Sequence, residues 1–249
     1  MMYAMAKKIL VILTVILLWQ SAYEIFPINT HLIPPPTDIA LSFIDSLKTG
    51  EIISHLLTSL GRVIIGFSIA AIVAIPAALL LGYYEKINAL VEPLIEVLRP
   101  IPPIAWIPIA ILLFGLGNDS AYFIIFLGSF FPIFTNTLFG ATSLPQIYKN
   151  TALSFEVSRY AFFKDILFYF SLPYIFTGLK IGIGMAWMSV IAAELVGAQS
   201  GLGYFIQMNR VVSQIDKIIV GMIMIGIAGY VLNTSLSYAE KIALPWKQK

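Results

Sequence analysis

The chain has 249 residues, of which 59% are hydrophobic and only 11% charged, with a net charge of +2 and a mean hydropathy of +0.90. Soluble domains carry about 25% charged residues, and so much apolar surface does not fit inside one water-soluble core, so the natural class is a polytopic all-α membrane protein. The near-balanced charge leaves no footprint for nucleic acid, and the lack of cysteine excludes disulfides, thiolate metal sites and a cysteine nucleophile.

Six apolar runs are long enough to span a bilayer or nearly so, at about 9–28, 60–83, 100–117, 120–141, 173–197 and 217–238. A spanning helix needs roughly 20 residues, so the third run is short and broken by proline. The first follows Lys7-Lys8 and has signal-like length from Ile9 to Trp19. Gln20-Ser21-Ala22 is a poor cleavage site, however, and a retained anchor is expected. Pro34-Pro35-Pro36 then stops the first helix. Thr37 is expected to N-cap a short helix that ends before Gly50. Ile39, Phe43, Ile44 and Leu47 fall near one face of it, which fits a helix lying in the membrane interface or an ordinary hairpin between spans. His31 and His55 stand alone and read as interfacial polar residues; neither a metal nor a cofactor is expected.

After the second run, Tyr83 and Tyr84 fit an aromatic belt, and Glu92 and Glu96 read as a solvated helix face. Pro100, Pro102, Pro103 and Pro108 cluster at the start of the third run. Broken helices at membrane depth persist where they line a cavity or pack against protein. Pro102, Pro103 and Trp106 are therefore candidates for a translocation path or gate, with a kinked packing helix as the other reading. In the fifth run, Gly178, Gly182, Gly184 and Ala186 form a small-residue face, suited either to a dimer contact or to packing within one subunit. Glu194 closes that run. It reads either as part of an outer gate or substrate path, or as a side chain reaching outward to the surface. With the N-terminus inside, eleven of the 15 basic residues lie on the inner side and both termini are cytoplasmic.

No GxxxxGK[ST] loop, HExxH, GxSxG or calcium-binding loop is present. The runs are also nearly free of ionisable residues, Glu194 excepted, so an ion gradient has little to act on. The driving energy is expected from another chain. An ATPase in the cytoplasm needs a stiff inner element to push against, and 150–173, the longest polar interruption in the second half, fits that need. Thr151 to Phe155 can form a short helix. Ser158 to Phe168 then continues helically, with Phe162, Phe163, Ile166 and Leu167 on one side and Arg159, Lys164 and Asp165 toward water. Pro173 is expected to begin the fifth span, where a missing N–H is harmless.

Several short pieces stand in order along nearly the whole chain. They are Pro35-Pro36-Thr37, Ser59-Leu60-Gly61-Arg62-Val63 with Gly66, and the run Arg99-Pro100-Ile101-Pro102-Pro103 through Trp106 to Pro108. Ser158-Arg159-Tyr160, Phe163-Lys164 and Phe170 to Pro173 follow, and then Ala193-Glu194 with Gly197-Ala198 and Gly201-Leu202-Gly203. In these the sequence resembles the membrane subunit of type I ABC importers, of the nitrate/sulfonate/taurine permease group.

The resemblance implies the six-helix type I transmembrane fold. It divides the chain into an N-terminal helix and outer segment (1–54), a transmembrane domain (55–238) and a cytoplasmic tail (239–249). It implies a cell-membrane assembly in the lipid bilayer, made of two copies of the permease, two ATPase subunits and an extracytoplasmic substrate-binding protein. That assembly works by alternating access on a small solute such as nitrate, a sulfonate, taurine or a pyrimidine-type vitamin precursor. The chain itself catalyses nothing. Asn150, Thr151, Ala152, Glu156, Ser158, Arg159 and Pro173 fall on the family's ATPase-docking loop. Two departures stand out: Asn150-Thr151-Ala152 replaces Glu-Ala-Ala, and Glu156 replaces a glycine. Without glycine's freedom, Glu156 is expected to bend in a right-handed or extended form, or to bear strain of about 1–3 kcal/mol. The alternative is a stand-alone secondary transporter or channel, which would transport without an ATPase.

Overall fold

A computed structural model describes residues 2–25 and 34–248; His31 lies outside them. No strand occurs among the described residues. The chain runs through α1 (Met2–Ile25), α2 (Pro36–Lys48), α3 (Glu51–Tyr83) and α4 (Glu85–Leu98) to a 3-10 turn (Pro103–Trp106). After it come α5 (Ile107–Phe114), α6 (Asn118–Thr142), α7 (Gln146–Ser154), α8 (Arg159–Gly197), α9 (Leu202–Val211) and α10 (Ile215–Ala243). Among the described residues, α3, α6, α8 and α10 are each long and apolar enough to cross a membrane. α4 and Pro103–Phe114 form a pair bent by 87°, which adds a fifth crossing if it counts as one. The short, proline-broken third run therefore has a definite form: an eight-residue helix standing on a turn. α1 contributes a shorter apolar stretch, Leu13–Tyr23.

The centre of the bundle is α6, packed between α3 and α8. Glycines set how closely these helices approach. A Cβ on Gly66 would lie 2.7 Å from Ile125, and one on Gly182 would lie 2.9 Å from Ile133. Gly178 faces the Ile133 backbone in the same way. Gly178 and Gly182 thus pack within the subunit and are not a dimer face; Gly184 meets open space.

Of the four long helices, α3, α6 and α10 run one way and α8 runs the other, so their termini gather at two ends. One end holds α7 with the last turn of α3 and the first of α8. The other joins the start of α3, the end of α8, α9 and the start of α10. α2 docks at this second end. Its N-cap is Pro35 and not Thr37. The Pro35 carbonyl accepts from Asp38 N at 3.1 Å and Ile39 N at 3.3 Å, and Pro36 fills the first helical position, where its ring costs no hydrogen bond. The helix ends as expected before Gly50, which sits at φ 73°. Its buried face is Ile39 and Ser46, and the Ser42 hydroxyl donates to Asp216 of α10. Ile44 and Leu47 point outward instead of joining Ile39.

Candidate functional site: coupling segment and buried clasp

The 150–173 segment divides as its sequence suggests. α7 is followed by a break and by the start of α8, whose first turns include a π-helical stretch, Phe162–Leu167. Ser158 caps the new helix, its side chain accepting from Ala161 N at 3.2 Å. Phe162 and Leu167 are buried with Leu144 and Ala152, and Phe163 and Ile166 pack beside them. The Tyr83 ring of α3 lies 5.6 Å from Phe162 and 4.7 Å from Phe163. Lys149 pairs with Glu85 at 3.4 Å. The segment is thus fastened to α3 and α4 on its inner side. Its outer side is apolar and bare: Ile147 is 66% exposed, Leu153 76%, Phe155 78% and Tyr160 76%. Asn150, Thr151, Glu156, Ser158 and Arg159 are exposed around this patch, while Ala152 is buried under it. A cavity of about 420 Å³, with Leu153, Val157, Lys149 and Arg159 on its walls, opens beside α7.

Pro173 does not begin a helix. It lies inside α8, which started at Arg159, and is half-buried. A proline within a helix removes one N–H from the ladder. The helix continues because the packing of its flanking residues against α6 outweighs that one bond.

Glu156 takes the strained alternative, at φ 50°. The reason is how α7 ends. Val157 N donates to Ala152 O at 2.9 Å and Glu156 N to Leu153 O at 3.1 Å. This is the Schellman pattern, which requires a left-handed residue at the position that Glu156 holds. The bend is thus one that glycine would adopt without cost, held here by a glutamate. A left-handed L-residue costs roughly 1–2 kcal/mol. Glu156→Gly should relieve that cost and slow amide exchange at Val157 by about fivefold. Hydrogen exchange read by mass spectrometry checks this; unchanged or faster exchange would show that no strain is held there. α9 ends identically, with Ser213 at φ 58° and Gln214 N donating to Asn209 O at 2.9 Å.

At the opposite end, Glu194 is not a side chain reaching outward. It is 1% exposed and forms an ion pair with Arg62 at 2.8 Å. Ser59 donates to both carboxylate oxygens, at 2.8 and 2.9 Å, and Gly203 N donates to Oε2 at 3.0 Å. Arg62 also donates to Asn118 Oδ1 at 2.8 Å, Ser200 O at 2.7 Å and Ser200 Oγ at 2.9 Å. Leu202 N donates to Ser59 Oγ at 2.9 Å, and Gly201 N to His55 Nδ1 at 3.0 Å. Glu194, Ser59 and His55 thus take up the first free N–H groups of α9, and the carboxylate also meets the positive end of that helix dipole. No room remains for side chains here. A Cβ on Gly203 would lie 2.6 Å from Ile191 O, and one on Gly201, itself at φ 106°, would overlap the Glu194 carboxylate. The clasp ties α3, α6, α8 and α9 together.

Glu194 stands out in the sequence, but nothing local joins it to Arg62, Ser59, Asn118, Ser200 or His55. One local signal was legible: Ser59 and Arg62, three residues apart, share a helix face.

Of the third-run candidates, Pro102 is exposed and Pro103 half-buried, and Pro103 lies within 3.3 Å of where a Gly128 Cβ would stand. Trp106 packs elsewhere, with Ile107, Ala110, Ala121, Ile124 and Ala193. No group of residues able to hold a metal occurs among the described residues.

A helical bundle with several crossings, a fastened but uncovered segment at one end and a saturated polar clasp at the other defines a multi-pass membrane protein built to be worked by a partner. The model of the binding-protein-dependent transport system inner membrane component family matches residues 66–248. The chain belongs to that family: it is the membrane component of an ABC importer, with ATP hydrolysis in a separate subunit and a substrate-binding protein as a further partner.

Its relatives agree. A putative ABC transporter permease protein of Methanocaldococcus jannaschii is 40% identical over 227 residues, covering 89% of this chain and 85% of its own length. A nitrate import permease of Synechocystis is 40% identical over 195 residues, 78% of this chain and 71% of its own length. A bicarbonate transport system permease of Synechocystis is 40% identical over 190 residues, 76% and 68%.

Proposed function

We propose that this chain imports a small anion, in the class of nitrate or bicarbonate, and that residues 146–160 are where the ATPase grips it. The anion class rests on the nitrate and bicarbonate permeases, each 40% identical to the chain. The docking assignment rests on one observation: four large apolar side chains stand bare on an element whose other face is fastened to the bundle. An exposed apolar cluster rimmed by polar residues marks a protein contact. Asn150, Thr151, Glu156, Ser158 and Arg159 form the rim, Ala152 the base, and Pro173 belongs to the helix that carries motion away.

In this reading α1 is a sixth crossing, the termini are cytoplasmic, and the chain divides as 1–54, 55–238 and 239–249. Two copies pair with two ATPase subunits. Pro102, Pro103 and Trp106 shape the path at the bent pair. Glu194 holds the outer end in shape through Arg62; it does not receive substrate, because its oxygens are already committed. A crosslinking scan from Asn150 to Tyr160 in the assembled transporter should give ATPase adducts, strongest at Leu153 and Phe155. A scan without a single adduct would refute the docking assignment. Transport by the purified chain without an ATPase would instead favour a stand-alone carrier.

A further inference from the structure

We infer that Arg99, with the cavity it faces, is a transient binding step for a small oxyanion, part-way between the two ends of the bundle. The inference rests on the anion-import reading above. The cavity measures about 250 Å³ and lies at the bend between α4 and α5. Arg99 and Pro103 form one wall, Gly128, Thr135 and Asn136 of α6 another, and Met185 of α8 a third. By helical rise, Asn136 stands about 10 Å in from the α7 end of α6. Arg99 itself is exposed where α4 ends, and its charge faces water or a partner, because lipid does not solvate it.

Arg62 and Arg99 contrast sharply. Arg62 is committed to Glu194, Asn118 and Ser200. The Arg99 guanidinium has no hydrogen bond or ion pair among the described residues. Its planar fork of five N–H donors suits a trigonal oxyanion. The Asn136 amide donates to Pro132 O at 2.8 Å and keeps a second N–H. No carboxylate lines this cavity, so nothing in its walls repels an anion. The neighbouring cavity, about 330 Å³, shares Arg99 and Thr135 but adds Glu92 and Glu96. An anion is therefore drawn to one side of Arg99 only. The space exceeds that of a bare nitrate and admits its waters, which keeps binding weak enough for release, as conduction requires.

Arginine-specific labelling with phenylglyoxal, read by mass spectrometry on the purified chain, tests the site. Nitrate should protect Arg99 at concentrations where sodium gluconate does not, with Arg159 and Arg210 as internal controls. In the complete transporter, Arg99→Gln should lower nitrate or bicarbonate uptake about tenfold or more, the worth of one charge-assisted contact. Arg99→Lys should keep part of the uptake, and both variants should still co-purify with the ATPase. Equal labelling with nitrate and gluconate, or full uptake by Arg99→Gln, would overturn the site while leaving the importer assignment intact. Wild-type uptake of neither anion would overturn the anion reading itself, and protection would then still decide whether Arg99 binds oxyanions.

Discussion

Replacing Glu194 by alanine should destabilise the protein by about 3–5 kcal/mol, because it leaves the Arg62 guanidinium buried without its counter-charge. The side chains of Arg62 and Glu194 are 5% and 0% exposed, so water cannot take the place of the lost partner. Gly203 N and Ser59 lose their acceptor in the same step. The expected result is a lower thermal midpoint of the detergent-purified chain, with less folded protein in the membrane. Glu194→Gln should cost less, since an amide oxygen still accepts from Gly203 N. Arg62→Ala should be harmful too. The double variant should fall short of the sum of the singles, as contacting residues do in a mutant cycle. Because the clasp is proposed to hold the outer end in shape, Glu194→Ala should also lower uptake and stimulated ATPase activity per folded transporter. Wild-type values of both at equal expression would sink the gating role.

The second large effect is expected at the opposite end. Phe155→Asp, or Leu153→Asp, should abolish stable association with the ATPase while leaving the permease folded. Both side chains are more than three-quarters exposed, so the fold itself loses little. Central apolar anchors commonly carry 2 kcal/mol or more of an interface, and a charge buried there adds its own desolvation cost, so affinity should fall about 100-fold. Co-purification of the ATPase with the permease, read against an unchanged thermal midpoint, measures it. Undiminished recovery with both variants would move the docking site elsewhere.

The sequence carried some of this plainly. The apolar runs gave the class, and the 3.6-residue spacing of Phe162, Phe163, Ile166 and Leu167 gave the buried side of the coupling segment, because both signals are local. The Glu194 clasp was hidden for the opposite reason. Arg62 and Glu194 are 132 residues apart, and no periodicity links positions brought together only by folding. Thr37 and Pro173 misled in a shared way. Each matched a rule for where helices start, yet Pro36 was the better first residue in one case, and packing carried α8 through the proline in the other. Glu156 is a third kind of case. The residue type argued against a left-handed bend, but the hydrogen bonds that close α7 demanded one.

One consequence follows from the length of α8. Its 39 residues would extend for about 58 Å at 1.5 Å per residue, more than the roughly 30 Å hydrocarbon thickness of a bilayer. One terminus is where the ATPase is proposed to grip, and the other carries Glu194. Under that proposal the helix acts as a lever arm. Tilting it by about five degrees at the gripped terminus would sweep the far tip through about 5 Å, near the pitch of one helical turn. The π-helical stretch at Phe162–Leu167 sits beside the gripped terminus, where compliance sacrifices the least reach.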